Sequence, residues 1–355
     1  APDDLEGNMN ALRYFKASRQ LRVAASEVTG RLPLMKVSDE LTFLAEVILE
    51  QALAMAWQDL VTKHGRPARQ VDGERRPFGE AGMADCGFVV MGYGKLGGIE
   101  LGHGSDLDLV FIYDSDARGA TDGDRPLDCS VFFTRLGQRI IHILDTRTAM
   151  GPLYEVDMRL RPQGNSGMLV ASYRGFDEYQ RQSAWTWEHQ ALVRARVIAG
   201  DRALAERCEI CRREVLRQAR DAAALATEVR EMRSKMRNHL LPRGSEERGE
   251  FHLKQGHGGI VDIEFMVQYA VLAWSHRTPE LTDWSDNIRI LETLSRQGLF
   301  TEQESRELVE AYISYRSAAH QLSLQQQPDV VNTELFGEER HAVSAKWQKL
   351  LGAPE

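Results

Sequence analysis

The segment that most constrains the fold is residues 106–113, Asp-Leu-Asp-Leu-Val-Phe-Ile-Tyr, in which both faces are apolar once the two aspartates are passed. Side chains alternate between the two faces of a β-strand, so this pattern predicts a strand buried between two layers of structure. Only its start is chemically unusual, because Asp106 and Asp108 would bring charged side chains into that buried strand. The chain therefore needs packed structure on each side of this strand.

Neighbouring segments supply the other parts of a small sheet. Residues 88–91 form a short apolar run that ends in glycines, which is typical of a buried strand entering a turn. Residues 131–144 have helical spacing, and Asp128 is in position to cap that helix. A further strand is predicted from Leu153 to Arg161. Together these segments predict a small mixed sheet with a helix against it.

Helical periodicity dominates the rest of the chain. It predicts helices over 3–28, 38–64, 177–198, 201–218, 223–241, 260–275, 286–297 and 301–326. Thr301 and Glu304 form a capping box for the last of these, and residues 251–259 interrupt the pattern with a short extended piece. We therefore predict an α+β fold, with an N-terminal helical segment at 1–65, a small mixed-sheet domain at 66–175 and a helical-bundle domain at 176–355.

Composition excludes several classes of protein. Of the 355 residues, 43% are hydrophobic and 27% are charged, as in ordinary globular proteins. No apolar run is long enough to span a bilayer and no secretory signal is present, so we expect a cytoplasmic protein without a membrane partner. The net charge of −8 argues against nucleic acid as the main partner. The four cysteines are too few for a disulfide framework, and we interpret Cys208 and Cys211 as helix packing.

Two aspartates at the start of one strand suggest a metal site. Asp106 and Asp108 are two residues apart, so their side chains point the same way and are close enough to share cations. Phosphoryl and nucleotidyl transfer use magnesium ions held by clustered carboxylates. The pair alone leaves a second interpretation open, in which the Asp-Leu-Asp sequence only caps a neighbouring loop.

The predicted strand 153–161 adds a third acid. Alternation would place Asp157 on one polar face together with Glu155, Arg159 and Arg161. Asp157 would complete the carboxylate cluster, and the two arginines would offer planar donors to phosphate oxygens. A fully solvated polar face is the alternative interpretation.

A glycine segment lies between the first two strands. Gly94-Lys95-Leu96-Gly97-Gly98 follows a strand and precedes the aspartates, so its backbone amides are in a position to approach a triphosphate. It matches neither the P-loop nor the dinucleotide-binding pattern. Lys95 is interpreted as a phosphate ligand, with a solvated charge as the alternative.

Two long motifs carry a family resemblance. Residues 92–111 and 154–162, Tyr-Glu-Val-Asp-Met-Arg-Leu-Arg-Pro, resemble the bacterial bifunctional glutamine synthetase adenylyltransferase/adenylyl-removing enzymes, whose catalytic units have the polymerase-beta-type nucleotidyltransferase fold. Residues 183–196, 227–233 and 284–292 look like the C-terminal, adenylylating half of that family. The resemblance covers essentially the whole chain. Since the sequence lacks an initiator methionine and holds one motif set, we expect a fragment of a longer enzyme.

The resemblance implies roles for individual residues. The catalytic and metal-binding acids would be Asp106, Asp108 and Asp157, in a nucleotidyltransferase domain at 66–175. The residues expected to bind the nucleotide are Gly94, Lys95, Gly97, Gly98, Ser105, Arg159 and Arg161.

The resemblance also implies an activity. That activity is transfer of AMP from ATP to a tyrosine hydroxyl of glutamine synthetase, with Mg²⁺ as cofactor, pyrophosphate as product, and a PII-type signal protein and glutamine as regulators. Down-regulation of nitrogen assimilation would result. Two alternatives stay open: phosphorolytic removal of AMP from adenylylated glutamine synthetase, and nucleotide sensing without catalysis.

Several further residues have two interpretations at this stage. Asp262 and Glu264, which follow Lys254, either favour a helix dipole or lie near the nucleotide. A second group of aromatic and polar side chains consists of Trp185, Trp187, His189 and Gln190. These side chains either form a binding surface for adenine or for a partner protein, or pack in a helix core.

Overall fold

The computed structural model describes residues 4–71, 74–115, 119–148, 150–242, 244–245 and 247–352. The helices within these residues are α1 (Leu5–Val28), α2 (Leu34–His64), α3 (Gly94–Gly97), α4 (Cys129–Asp145), α5 (Tyr173–Gln182), α6 (Thr186–Val193), α7 (Arg202–Leu216), α8 (Ala222–Leu240), α9 (Ile260–Trp274), α10 (Asn287–Arg296), α11 (Glu302–Leu324) and α12 (Gly337–Leu351). The strands are β1 (Ala68–Val71), β2 (Glu74–Pro77), β3 (Phe88–Gly92), β4 (Leu107–Tyr113), β5 (Val156–Asp157), β6 (Val170–Ser172), β7 (Arg196–Gly200), β8 (Glu250–His252) and β9 (Val330–Asn332).

The central sheet is mixed, as predicted. Its strand order is β5-β4-β3-β7, and β6 also pairs with β4 beyond β5. Strand β3 is antiparallel to both β4 and β7, whereas β5 and β6 run parallel to β4. Strand β4 therefore has β3 on one side and two short strand segments in line on the other.

Alternation along β3 and β4 divides the apolar side chains between two cores. Phe88, Val90 and Phe111 pack with α1, α2 and α4 on one face of the sheet. Val89 and Ile112 pack on the other face with the helices that follow residue 172. The prediction that β4 is buried between two layers is confirmed, and the α+β class with it.

The C-terminal helices surround α9. Nearly every residue of α9 is buried, as expected for a helix that is apolar around its whole circumference. It contacts α6, α8, α10, α11 and α12. The capping box of α11 is confirmed, since the Glu304 amide donates to Thr301 Oγ1 at 3.1 Å and the Thr301 amide donates to Glu304 Oε2 at 2.9 Å.

Two predicted elements are wrong in extent. The helix expected over 177–198 is instead α5 and α6, separated by residues 183–185, followed by strand β7. The strand expected over 153–161 is regular only at β5, and a turn follows. Both errors have a tertiary cause, because β5 and β7 are defined by pairing with β4 and β3.

Other features were not predicted or differ in detail. The hairpin β1–β2, strand β9 and helix α12 lacked a strong enough pattern, whereas β8 overlaps the extended piece predicted at 251–259. Asp128 occupies the N-cap position of α4, but its side chain accepts no capping hydrogen bond. The four cysteines are buried free thiols, and burial of Cys208 and Cys211 agrees with their interpretation as packing residues. Among the described helices, none has the length and apolarity needed to cross a membrane.

The domain boundaries stay a prediction. Strand β7 comes from the segment assigned to the helical domain, yet it pairs with β3 in the central sheet. The face of the sheet opposite α2 and α4 is covered by the C-terminal helices. The sheet and the helical part therefore share one continuous interface.

Candidate active site

The three predicted acids lie together at one end of the sheet. Asp108 and Asp157 are register partners on the parallel pair β4–β5, and Asp106 immediately precedes β4. All three line one cleft of about 470 Å³, a size typical of ligand sites. Backbone hydrogen bonds fix their positions, since the Tyr93 amide donates to Asp108 O and the Leu107 amide donates to Glu155 O, both at 2.9 Å.

Electrostatics differ among these acids. Burial raises the pKa of Asp108 to about 6, and the negative charges of Asp106 and Asp157 add to this effect. Hydrogen bonds from Arg159 lower the pKa of Asp157. The three carboxylates therefore repel one another, and a bound cation would offset the cost of ionising Asp108.

Gly94 and Lys95 line the same cleft. Gly94 has φ +55°, and a Cβ there would lie 2.4 Å from Asp108 Oδ2, so a side chain at this position would displace the carboxylate. Lys95 is exposed to solvent in the open cleft. Its pKa is nevertheless lowered to about 8, mainly by desolvation from the surrounding protein and secondly by the charge of Lys254. Lys95 therefore places its amine in the same cleft as the carboxylates.

The remaining glycines have a different place from the one predicted. Gly97 and Gly98 are buried and do not line the cleft. A Cβ on Gly97 would lie 2.0 Å from Arg194 O, so this glycine permits close packing of α3 against the segment before β7. Ser105 lines an adjoining cavity of about 270 Å³ rather than the main cleft. The two cavities share Lys95, Asp106, Lys254 and Glu264.

The predicted polar face of strand 153–161 does not form, because the strand ends at Asp157. Arg159 lines the cleft and folds back on Asp157, with its Nε 2.7 Å from Asp157 Oδ2, and its side chain is 74% exposed. Arg161 lies outside the cleft, where its Nη1 donates to Met158 O at 2.7 Å. Leu160, which the same alternation would place on the face opposite Asp157, also lines the cleft.

The far wall of the cleft comes from the C-terminal helices. Lys254 and Glu264 face the aspartates across the cleft. Burial alone would raise the pKa of Glu264, but Arg194 and then Lys254 hold it below its usual value. An apolar part of this wall consists of Trp187, Met232, Met236, Leu240 and Phe265.

A buried ionic network behind this wall was not predicted. Glu100 is fully buried and is paired with Arg194, which also contacts Glu264 at 2.5 Å. The Tyr312 hydroxyl donates to Glu100 Oε2 at 2.6 Å, and the Asn287 amide donates to Oε1 at 3.0 Å. The network joins the loop after α3 to α9, α10 and α11, and no local sequence pattern connects residues so far apart.

Of the residues that had two interpretations, some line the cleft and others lie outside it. Asp262 does not line the cleft; its carboxylate is buried and accepts hydrogen bonds from Arg233 at 2.6 Å and Arg237 at 2.7 Å. Glu264, two residues further along α9, does line the cleft. Among the second group, the cleft is lined by Trp187 and Gln190, whereas Trp185 is 69% exposed and His189 bonds to Gln180 O at 2.9 Å.

Comparison with known proteins identifies the family. Residues 1–210 match the family described as glutamate-ammonia ligase adenylyltransferase, and residues 227–347 match the family described as GlnD PII-uridylyltransferase. Curated proteins named "bifunctional glutamine synthetase adenylyltransferase/adenylyl-removing enzyme" are similar to 98% of this chain. Three of them are those of Pseudomonas aeruginosa (55% identical), Pseudomonas putida (53%) and Hahella chejuensis (51%).

The chain spans only part of these relatives, namely 35%, 36% and 35% of their lengths. The adenylyltransferase family match nevertheless covers more than half of the chain. On these matches, the chain belongs to the glutamate-ammonia ligase adenylyltransferase family.

Proposed function

We propose that this chain transfers AMP from ATP to a tyrosine hydroxyl of glutamine synthetase and releases pyrophosphate. The observation that carries the proposal is the convergence of Asp106, Asp108 and Asp157 on one cleft next to Lys95. The names of the curated relatives supply the protein substrate. A cytoplasmic location and regulation by glutamine and a PII-type protein are parts of the same proposal.

The donor set fits magnesium. The three acids offer only carboxylate oxygens, which are the ligands that Mg²⁺ prefers in nucleotide sites. The raised pKa of Asp108, about 6, supports the same conclusion because a divalent cation would offset the cost of ionising that carboxylate. Asp106, Asp108 and Asp157 would hold the ions, which when bound neutralise phosphate charge and lower the pKa of an attacking hydroxyl.

The side chains around the cleft support the rest of the reaction. Lys95, Lys254 and Arg159 offer positive charge to the triphosphate, while the apolar wall around Trp187 and Phe265 offers a surface for the adenine ring. The tyrosine oxygen attacks the α-phosphorus in line and gives its proton to a carboxylate of the cleft, while the bond from the α-phosphorus to the bridging oxygen breaks and pyrophosphate leaves with that oxygen. Most of the rate enhancement would come from positioning and charge, as in other phosphoryl transfers.

The second candidate is removal of AMP from the same tyrosine by phosphate, because the names of the relatives include both activities. The similarity of residues 183–196 to the adenylylating half favours AMP addition. A third possibility is nucleotide sensing without catalysis. The same cleft would serve each, so the products must be measured directly.

The test uses glutamine synthetase, Mg²⁺ and ATP labelled on the α-phosphate, with labelled UTP as the nucleotide control. Label from ATP is expected in glutamine synthetase. Asp108→Asn is expected to reduce the rate of labelling at least about 100-fold, because bound metal ions stabilise the transition state by several kcal/mol and each 1.36 kcal/mol changes the rate tenfold. Glu155→Gln is the matched control, because Glu155 is an exposed neighbour of Asp157 outside the cleft. Release of ADP from adenylylated target by phosphate, without AMP incorporation, would contradict the proposal.

A further inference from the structure

A second cluster of ligand-type side chains lies apart from the carboxylate cleft. It consists of Glu27 near the end of α1, His103 in the loop before β4, and His320 in α11. Glu27 Oε2 is 2.6 Å from His103 Nε2, and Glu27 Oε1 is 3.1 Å from His320 Nδ1. Three elements that are remote in sequence thus direct one carboxylate and two imidazoles toward one point.

The cluster is enclosed but reachable. The three side chains are 12%, 9% and 7% exposed, in chain order. Both histidines line the cavity of about 270 Å³ that adjoins the main cleft. This cavity provides an entry path and room for water beside the imidazoles.

The two imidazoles are held in place by their surroundings. A Cβ on Gly102 would lie 2.7 Å from His320 Nε2, so glycine at this position lets the ring approach the loop backbone. Ser323 Oγ donates to the His103 carbonyl at 2.9 Å, which ties the loop to α11. Arg316 is a nearby cation, and its guanidinium is engaged with Ser38 Oγ at 2.8 Å and Glu100 O at 2.7 Å.

We propose that Glu27, His103 and His320 form a binding site for a transition-metal ion of the zinc class. Their donor atoms lie within 4.8 Å of one another, and tetrahedral zinc with bonds of ~2.0–2.1 Å holds its donors roughly 3.3 Å apart, so small side-chain shifts suffice. Two imidazoles and a carboxylate favour Zn²⁺ or Co²⁺, whereas the all-oxygen cleft favours Mg²⁺. The cavity leaves a fourth position for water.

The consequence is structural. An ion at this point joins α1 and α11 to the loop that leads directly into Asp106. Binding of the ion to the folded chain alone would stabilise the fold in proportion to ion concentration. The rival for the same three residues is a network of hydrogen bonds without metal.

The test titrates the chelator-treated full chain with Co²⁺ in excess Mg²⁺, which fills the carboxylate cleft. One equivalent is expected to bind, with visible absorption typical of Co²⁺ bound by nitrogen donors and a rise in the thermal unfolding midpoint. His103→Asn and His320→Asn are each expected to weaken binding at least tenfold. His142→Asn, at an exposed position on α4, and Asp108→Asn are expected to leave it unchanged.

Circular dichroism checks that each variant is folded. If a histidine variant does not fold, Glu27→Gln is tested in its place. Absence of visible absorption in the unaltered chain would overturn the proposal in favour of the hydrogen-bonded network. So would equal Co²⁺ binding by His103→Asn and the unaltered chain. Neither result bears on AMP transfer, which is measured separately.

Discussion

Replacement of Gly94 by alanine tests the link between the glycine segment and the carboxylates. Alanine at φ +55° costs roughly 1–2 kcal/mol in backbone energy. Its Cβ would also lie 2.4 Å from Asp108 Oδ2, so the carboxylate must leave its rotamer at a further cost of about 0.5–1.5 kcal/mol. We expect Gly94→Ala to lose about 1.5–3.5 kcal/mol of the free energy of unfolding and, because Asp108 moves, most of its Mg²⁺-dependent AMP transfer.

Gly298→Ala is the matched control. Gly298 has φ +69° with nothing within 4 Å of an added Cβ, so it carries the same backbone cost without a displaced acid. Urea denaturation measures the unfolding free energy of both variants, and labelled AMP incorporation at several Mg²⁺ concentrations measures activity. If Gly94→Ala retained full activity and lost no more stability than Gly298→Ala, the proposed contact between Gly94 and Asp108 would be refuted.

Two further predictions concern charge. The pKa of Asp108 is raised from 3.8 to about 6, so the native state loses stability as pH rises through that window, and Asp108→Asn should stabilise the chain at pH 7–8 by up to about 3 kcal/mol and not at all below about pH 4. Urea denaturation across pH without Mg²⁺ measures this, and a constant difference between the two proteins at all pH values would contradict it. Arg194→Ala leaves the fully buried Glu100 without its cation and should cost about 3–5 kcal/mol. Arg202→Ala, which removes an exposed pair with Glu206, should cost less than about 0.5 kcal/mol by the same measurement, and equal losses would refute the role of burial.

The parts of the fold that sequence predicted well are those with a local cause. Strand β4 was predicted because its apolar side chains on both faces admit few other structures. Helix α11 was predicted because Thr301 and Glu304 mark its start chemically. Local patterns of this kind do not depend on what the segment later pairs with.

The parts that failed depend on partners distant in sequence. Residues 196–198 were assigned to a helix by their spacing, yet pairing with β3 makes them part of strand β7. Alternation along 153–161 was a valid local pattern, but β5 ends where Arg159 turns back to bond Asp157. Arg161 was therefore assigned to the site although it lies outside the cleft.

The candidate site divides in the same way. The spacing of Asp106 and Asp108 identified the near wall of the cleft, and alternation along 153–161 added Asp157. The far wall required the fold, because Glu264 reaches the cleft through α9 and Arg194 meets Glu100 across 94 positions of chain. Nothing in the periodicity of either segment indicates that pairing.

The position of β7 limits how the chain can be divided. Cutting after residue 175 would remove the partner of β3 and leave that strand's hydrogen-bonding edge bare, while Val89 and Ile112 would face water. Such an uncovered apolar edge invites pairing with other molecules and precipitation. A shortened protein meant to keep the carboxylates correctly folded must therefore retain residues through at least Gly200, along with the helices that shield that side.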